Sequence, residues 1–153
     1  MITYEYLAGL FDGEGTIGLY KHKGDYGRGW NFEPMIRISN TNKEALKRIQ
    51  EEFGGYYREK KFKDMNTNWK TPCEWNFTTK LTSIKPFLES LYPFLIIKKK
   101  QAGLMIEFCD IRIPMKRKRT ENGKFFATGY QYEYTPRMDE IYEELKLLNK
   151  RGI

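Results

Sequence analysis

From Trp30 to Ser39 the residues alternate between apolar and polar, and this pattern restricts the fold more than any other in the chain. Trp30, Phe32, Ile36 and Ile38 fall on one side, and Asn31, Glu33, Met35, Arg37 and Ser39 on the other. A period of two describes a strand with one face against a core and the other in water. The chain therefore needs a sheet with two unlike faces, the arrangement of antiparallel sheets rather than buried parallel ones.

The same alternation predicts a strand over Thr16–Lys23, with Ile17 and Leu19 inward and Tyr20 and His22 outward. Two more are predicted at Tyr56–Phe62 and at Cys73–Thr78, with Cys73, Trp75 and Phe77 inward. Helical spacing appears at Tyr4–Asp12, where Thr3 is the N-cap, and at Lys43–Phe53, between the caps Asn40-Thr41-Asn42 and the stop Gly54-Gly55. Leu81–Leu91 is helical in pattern although Pro86 lies inside it, so the helix bends there or begins at Lys85. Ile97–Ile111 and Arg137–Lys150 complete the helices. The order α-β-β-α-β-β-α, with extra C-terminal helices, gives the class α+β. No internal repeat or linker divides the chain, so residues 1–153 form one domain: a core of about 3–112, then a basic loop and terminal helix over about 113–150.

Lys and Arg number 27 against 20 Asp and Glu, a net charge of +7. Such a balance suits a polyanionic partner, with nucleic acid first, although ribosomal and membrane-surface proteins share it. Cys73 and Cys109 lack metal-ligand spacing, which argues against zinc fingers and a disulfide framework and for a reducing compartment. No stretch is long enough to span a bilayer, and the N-terminus has no leader pattern. The expectation is an intracellular protein, in a prokaryotic or phage-infected cytoplasm or an organelle, not secreted and with no membrane partner.

The first helix carries Ala8, Gly9, Asp12 and Gly13 on one stripe, with the two glycines four apart. A face this flat lets two helices approach backbone to backbone, and these four residues are the expected dimer interface. Packing of the same helix closely on its own domain is the alternative.

Leu7-Ala8-Gly9-Leu10-Phe11-Asp12-Gly13-Glu14-Gly15 resembles the nine-residue motif that names the LAGLIDADG homing endonucleases, with six positions matching letter for letter. Phe11, Gly13 and Glu14 stand where the name has Ile, Ala and Asp. Pro93 to Ala102 resembles the start of the family's later helix. The resemblance implies an antiparallel four-stranded, saddle-like sheet and a metal-dependent double-strand endonuclease. A single motif copy implies a homodimer that reads a long pseudopalindromic DNA site. Intron RNA maturase and a non-cleaving DNA-binding regulator are the competing functions. Intron-encoded, intein-borne and free-standing origins are equally open.

On this resemblance Glu14 is the catalytic acid and binds the metal together with the carbonyl of Gly13, while Asp12 is structural. The metal is Mg²⁺, with Mn²⁺ able to substitute and Ca²⁺ binding without supporting cleavage. Lys98 is the catalytic lysine, set against the bland reading of Lys98-Lys99-Lys100 as a solvated basic run. Asn40 is a catalytic candidate that orients solvent near the metal, a helix cap, or both. The polar strand faces place Tyr20, His22, Asn31, Glu33, Arg37, Arg58, Lys60, Glu74, Asn76 and Thr78 toward the major groove, where Arg pairs with guanine and Asn with adenine. Lys116 and Arg117, in the basic loop, are expected on phosphates.

Overall fold

A computed structural model describes residues 1–23, 30–61, 70–116, 122–123 and 135–150. The chain runs through α1 (Tyr4–Glu14), β1 (Gly15–Lys23), β2 (Trp30–Asn40), α2 (Lys43–Phe53), β3 (Tyr56–Glu59) and β4 (Cys73–Asn76). It continues through α3 (Leu81–Leu91), a 3₁₀ turn (Tyr92–Phe94), α4 (Lys99–Arg112) and α5 (Pro136–Leu148). The α+β order expected from the sequence is the order found.

The four strands form one antiparallel sheet in the order β1-β2-β4-β3. Register sets the two faces. Ile17 lies opposite Ile36 and Ile38 opposite Trp75, on the inner side, while Thr16, Arg37, Asn76 and Tyr56 form a row across the outer side. Helices cover the inner face, with Leu7 and Phe11 of α1, Ile84 and Leu88 of α3, Phe108 of α4 and Ile141 of α5 all buried. Trp75 is fully buried, meets Phe11 edge-on at 6.3 Å between ring centroids, and donates its indole N–H to the Gly54 carbonyl at 2.8 Å. Cutting it back to Ala costs about 3–5 kcal/mol.

No loop separates α1 from β1. Gly15 makes this possible, because a Cβ there would stand 2.4 Å from the Phe11 ring and 2.7 Å from its backbone. Gly54 and Gly55 end α2 at φ of 75° and 88°, the left-handed region that glycine adopts without strain.

The elements differ from expectation at their ends. β4 stops at Asn76, not Thr78, because Thr78 turns its hydroxyl to the N–H of Lys80 and leaves the ladder. β3 stops at Glu59, and Phe62 lies outside the described residues. α3 starts at Leu81 and passes through Pro86, which is exposed, so the carbonyl its ring leaves unbonded lies on the exposed side with Thr82. α4 starts at Lys99, two residues after Ile97. Both cysteines are buried and free, and burial, ahead of Asp110, pushes the Cys109 thiol up to about 12. Among the described residues no helix is long and apolar enough to cross a membrane.

Candidate active site and nucleic-acid face

Asp12 builds the site by joining two helix ends. Its carboxylate accepts the backbone N–H groups of Ile96 at 2.8 Å, Ile97 at 3.1 Å and Lys98 at 2.9 Å. The donors come from the approach to α4, where orphan N–H groups favour an anion. Asp12 is thus structural, as the sequence suggested, but its partners are in its own chain. Glu14 lies two residues beyond this tie and Lys98 at its far end, so one junction fixes the start of both side chains. Gly13, Glu14 and Lys98 open onto one cleft of about 580 Å³, together with Thr16, Arg37, Ser39 and Lys60. Among the described residues Glu14 is the single acid in the lining. It is exposed and makes no hydrogen bond or ion pair with the described residues.

Asn40 does not line this cleft. It continues the inward phase of Ile36 and Ile38, and its side-chain oxygen accepts the N–H of Asn42 at 2.9 Å, supporting the cap of α2. Of the two roles offered by the sequence, the cap is the one seen. Ser39, one residue earlier and on the outward phase, is the polar side chain at this strand end that reaches the cleft. The alternation of β2 already contained that signal, as the alternation of β1 did for Thr16.

The outer sheet face carries most of the expected groove residues. Tyr20, His22, Asn31, Glu33 and Arg58 are exposed, while Arg37, Lys60 and Asn76 are partly covered. A recess of about 310 Å³ gathers Tyr20, Glu33, Arg37, Arg58 and Asn76 around Tyr56, which is 60% exposed. Tyr56 was missed by the sequence reading, although it shares the phase of Arg58. Thr78 is beyond the strand and caps a turn. Lys116 is exposed, and Arg117 lies outside the described residues.

Glu74 corrects a further expectation. It has the outward phase, yet the residue is 0% exposed. Arg58 lies directly opposite in the register and reaches its Oε1 with Nη2 at 2.8 Å and Nε at 3.2 Å. Asn76 donates to the same oxygen at 2.9 Å, and the Lys60 ammonium stands 2.8 Å from Oε2 with an Arg37 nitrogen at 3.9 Å. Burial works against the charged form, but the Lys60 ammonium paired with Oε2 and the hydrogen bonds from Asn76 and Arg58 outweigh it and hold the carboxyl at about 2. Glu74 is therefore an internal counter-ion rather than a free groove contact, and it fixes the cations around it.

Ala8 is corrected too. It is 0% exposed and belongs to the core, so the open residues of α1 are Tyr4, Glu5, Tyr6, Gly9, Gly13 and Glu14, with Asp12 turned toward α4. A Cβ at Gly9 or Gly13 would meet nothing within 4 Å. Packing on their own domain does not require either glycine.

The sequence model of a family described as LAGLIDADG endonuclease matches residues 7–111. No curated protein matches the chain in sequence. Among solved structures, the homing endonuclease I-CvuI in complex with its target is similar over 98% of this chain and 83% of its own, at 22% identity and a TM-score of 0.67. An archaeal intron-encoded homing endonuclease complexed with DNA matches over 98% of this chain and 86% of its own, at 21% identity and a TM-score of 0.65. The I-SmaMI LAGLIDADG homing endonuclease bound to cleaved DNA matches all of this chain over 45% of its own, with 18% identity and a TM-score of 0.63. At these identities the likeness is one of fold.

Proposed function

The chain belongs to the LAGLIDADG endonuclease family, and from that premise we propose that it is a homing endonuclease acting as a homodimer on a long pseudopalindromic DNA site. The observation that carries this reading is the convergence of Glu14 and Lys98 on one cationic cleft beside the polar sheet face. The sheet enters the major groove, where Arg37, Arg58, Asn31 and Asn76 address base edges, and the cleft receives the backbone to be cut.

The open face of α1 supports pairing of two copies. Each helical glycine costs about 1 kcal/mol relative to alanine, and Gly9 and Gly13 recover nothing inside the chain. A second α1 laid along them recovers close contact. Tyr6 at 57%, Ile97 at 68% and Ile96 at 85% exposure add apolar surface that such a contact covers. A two-fold axis along this face brings the two Glu14 ends side by side.

A divalent ion fits this arrangement only as a shared guest. Among the described residues no three His, Cys, Asp or Glu side chains cluster as a metal site, and each cleft has one acid. Glu14 and the carbonyl of Gly13 would hold Mg²⁺, with a second Glu14, phosphate oxygens and water completing a shell of the kind that ion prefers. When bound, the ion supplies Lewis-acid polarisation of the phosphate and a more acidic water. Lys98 offsets charge on the phosphate as it is attacked, from a backbone position set by Asp12. Ser39 and Thr16 offer hydroxyls that orient solvent in the same cleft.

The test is incubation of the purified protein with a plasmid library of randomised long sites, with Mg²⁺, Mn²⁺ or Ca²⁺, followed by sequencing of the ends. Discrete cuts at a pseudopalindrome, present with Mg²⁺ or Mn²⁺, absent with Ca²⁺ and lost in Glu14→Gln, are expected. Site-selective binding without cuts under every metal would sink the catalytic reading in favour of a DNA-binding regulator.

A further inference from the structure

The family match ends at residue 111, yet one wall of the cleft comes from beyond it. The end of α5 brings Leu148, Asn149 and Lys150 to the cleft that holds Glu14 and Lys98. Two features show that this helix end is seated there by its own contacts. Asn149 donates its side-chain N–H to the carbonyl of Ile17 at 3.0 Å, on the strand that begins just after Glu14. At the next residue, Gly18, a Cβ would stand 3.0 Å from that same amide nitrogen and 3.4 Å from the Met35 methyl. Gly18 thus leaves the space that Asn149 fills.

Among the described residues, Lys150 joins Arg37, Lys60 and Lys98 as a fourth cation in a cleft with one acid. Arg37 and Lys60 are partly neutralised by Glu74, 3.9 Å and 2.8 Å away. Lys150 is exposed and follows the seated residue directly.

We propose that Lys150 grips a backbone phosphate next to the one being cut, and that Asn149, seated over Gly18, is the positioning residue that delivers it. The inference rests on the DNA-cleaving reading above but extends the site to a helix outside the family match. It also makes the terminal helix part of the machinery rather than a structural appendage.

The test uses the full chain with Lys150→Ala, Lys150→Arg, Asn149→Ala and the Lys150→Ala/Asn149→Ala double variant. Two readouts are taken: the dependence of affinity on salt for a mixed-sequence duplex, and single-turnover cleavage of the duplex recovered by library selection. Loss of one phosphate contact lowers the log–log salt slope by about 0.9 per chain, so Lys150→Ala is expected to show that drop and at least about a 10-fold slower cut. Lys150→Arg restores both. Asn149→Ala reproduces the loss but adds nothing in the Lys150→Ala background, the signature of a residue that acts through another.

A Lys150→Ala protein with wild-type slope and wild-type rate overturns the proposal. Additive losses in the double variant overturn the positioning role of Asn149. If the wild type cuts no duplex the endonuclease reading fails, while the salt slope still decides whether Lys150 meets phosphate.

Discussion

Asp12 at the end of α1 gives both oxygens to backbone N–H groups, whereas Glu74 in the middle of the sheet gives both to the tips of side chains. The first arrangement fixes the path of the chain. Any sequence with a helix end and a turn at this spacing can form it, because its donors are peptide groups. The second fixes the aim of particular cations and depends on Arg58, Lys60 and Asn76 being what they are. Between them stands Glu14, two residues from Asp12, exposed and with no bond to the described residues.

The sharpest way to break this division is to remove the free acid. Glu14→Gln should slow single-turnover cleavage by about 1000-fold or more, equivalent to roughly 4 kcal/mol of barrier, while Tm stays within about 1 °C because the side chain is exposed. A comparable fall in stability would show that Glu14, like Asp12, belongs to the scaffold.

Asp12→Ala should do the reverse. It leaves three N–H groups without their charged acceptor, two of them already open to water, at a cost of about 3 kcal/mol. For a chain of this size that is roughly 10 °C in Tm, measured by thermal or urea unfolding. Cleavage falls with it, since Lys98 loses its anchor.

Glu74→Gln should cost less, about 2 kcal/mol, because the cations it releases are 28–51% exposed and water takes them up. Its pH signature is specific. The folded carboxyl is held at about 2 against an ordinary 4.5, so its contribution is complete above about 4.5 and disappears as pH falls toward 2. The variant should lack that segment of the acid-unfolding curve. It should also relax base preference at a few positions rather than weaken DNA binding uniformly.

The smallest effect separates the chain from its dimer. Gly9→Ala has open space in one chain and gains helix propensity, so the isolated fold is stabilised by up to about 1 kcal/mol. Sedimentation should show weaker self-association at the same time. Unchanged association would place the contact elsewhere.

This contrast also explains what could be read in advance. The α1–β1 junction and the strand faces follow from a local motif and from periodicity, and the same motif already pointed to the neighbourhood of Glu14, Asp12 and Lys98 that the fold brings together. Ala8 was misplaced because a stripe of small residues does not say which edge of it meets the core. In the helix Ala8 sits on the side of Leu7 and Phe11, and only packing reveals it. Glu74 was misread because alternation predicts the face of a side chain but not its cover. Long cations from β2, from β3 and from the residue just past β3 close over it, and they come from 37, 58 and 60, far away in sequence. Asn40 was favoured at the strand end by resemblance to the family, whereas the period of two sends Asn40 inward to the cap of α2 and Ser39 outward to the cleft. The role of α5 was out of reach, because it depends on a contact between residues 149 and 17.

β1 pairs with β2 over nine positions, from Gly15 opposite Ile38 to Lys23 opposite Trp30, while β4 supports β2 only from Arg37 to Asn40. Mechanically, the sheet is a plate with a strip projecting from it. The plate is four strands wide, with Arg37 and Arg58 braced by Glu74. The strip is two strands wide and rests on Phe32 against Phe108 and Tyr142. Two-stranded ribbons take up a wider range of twist than broad sheets. Tyr20, His22, Asn31 and Glu33 therefore ride on the compliant part and can follow the local shape of a duplex. Sequence choice is expected to be strict near the centre of each half-site and permissive toward its outer end.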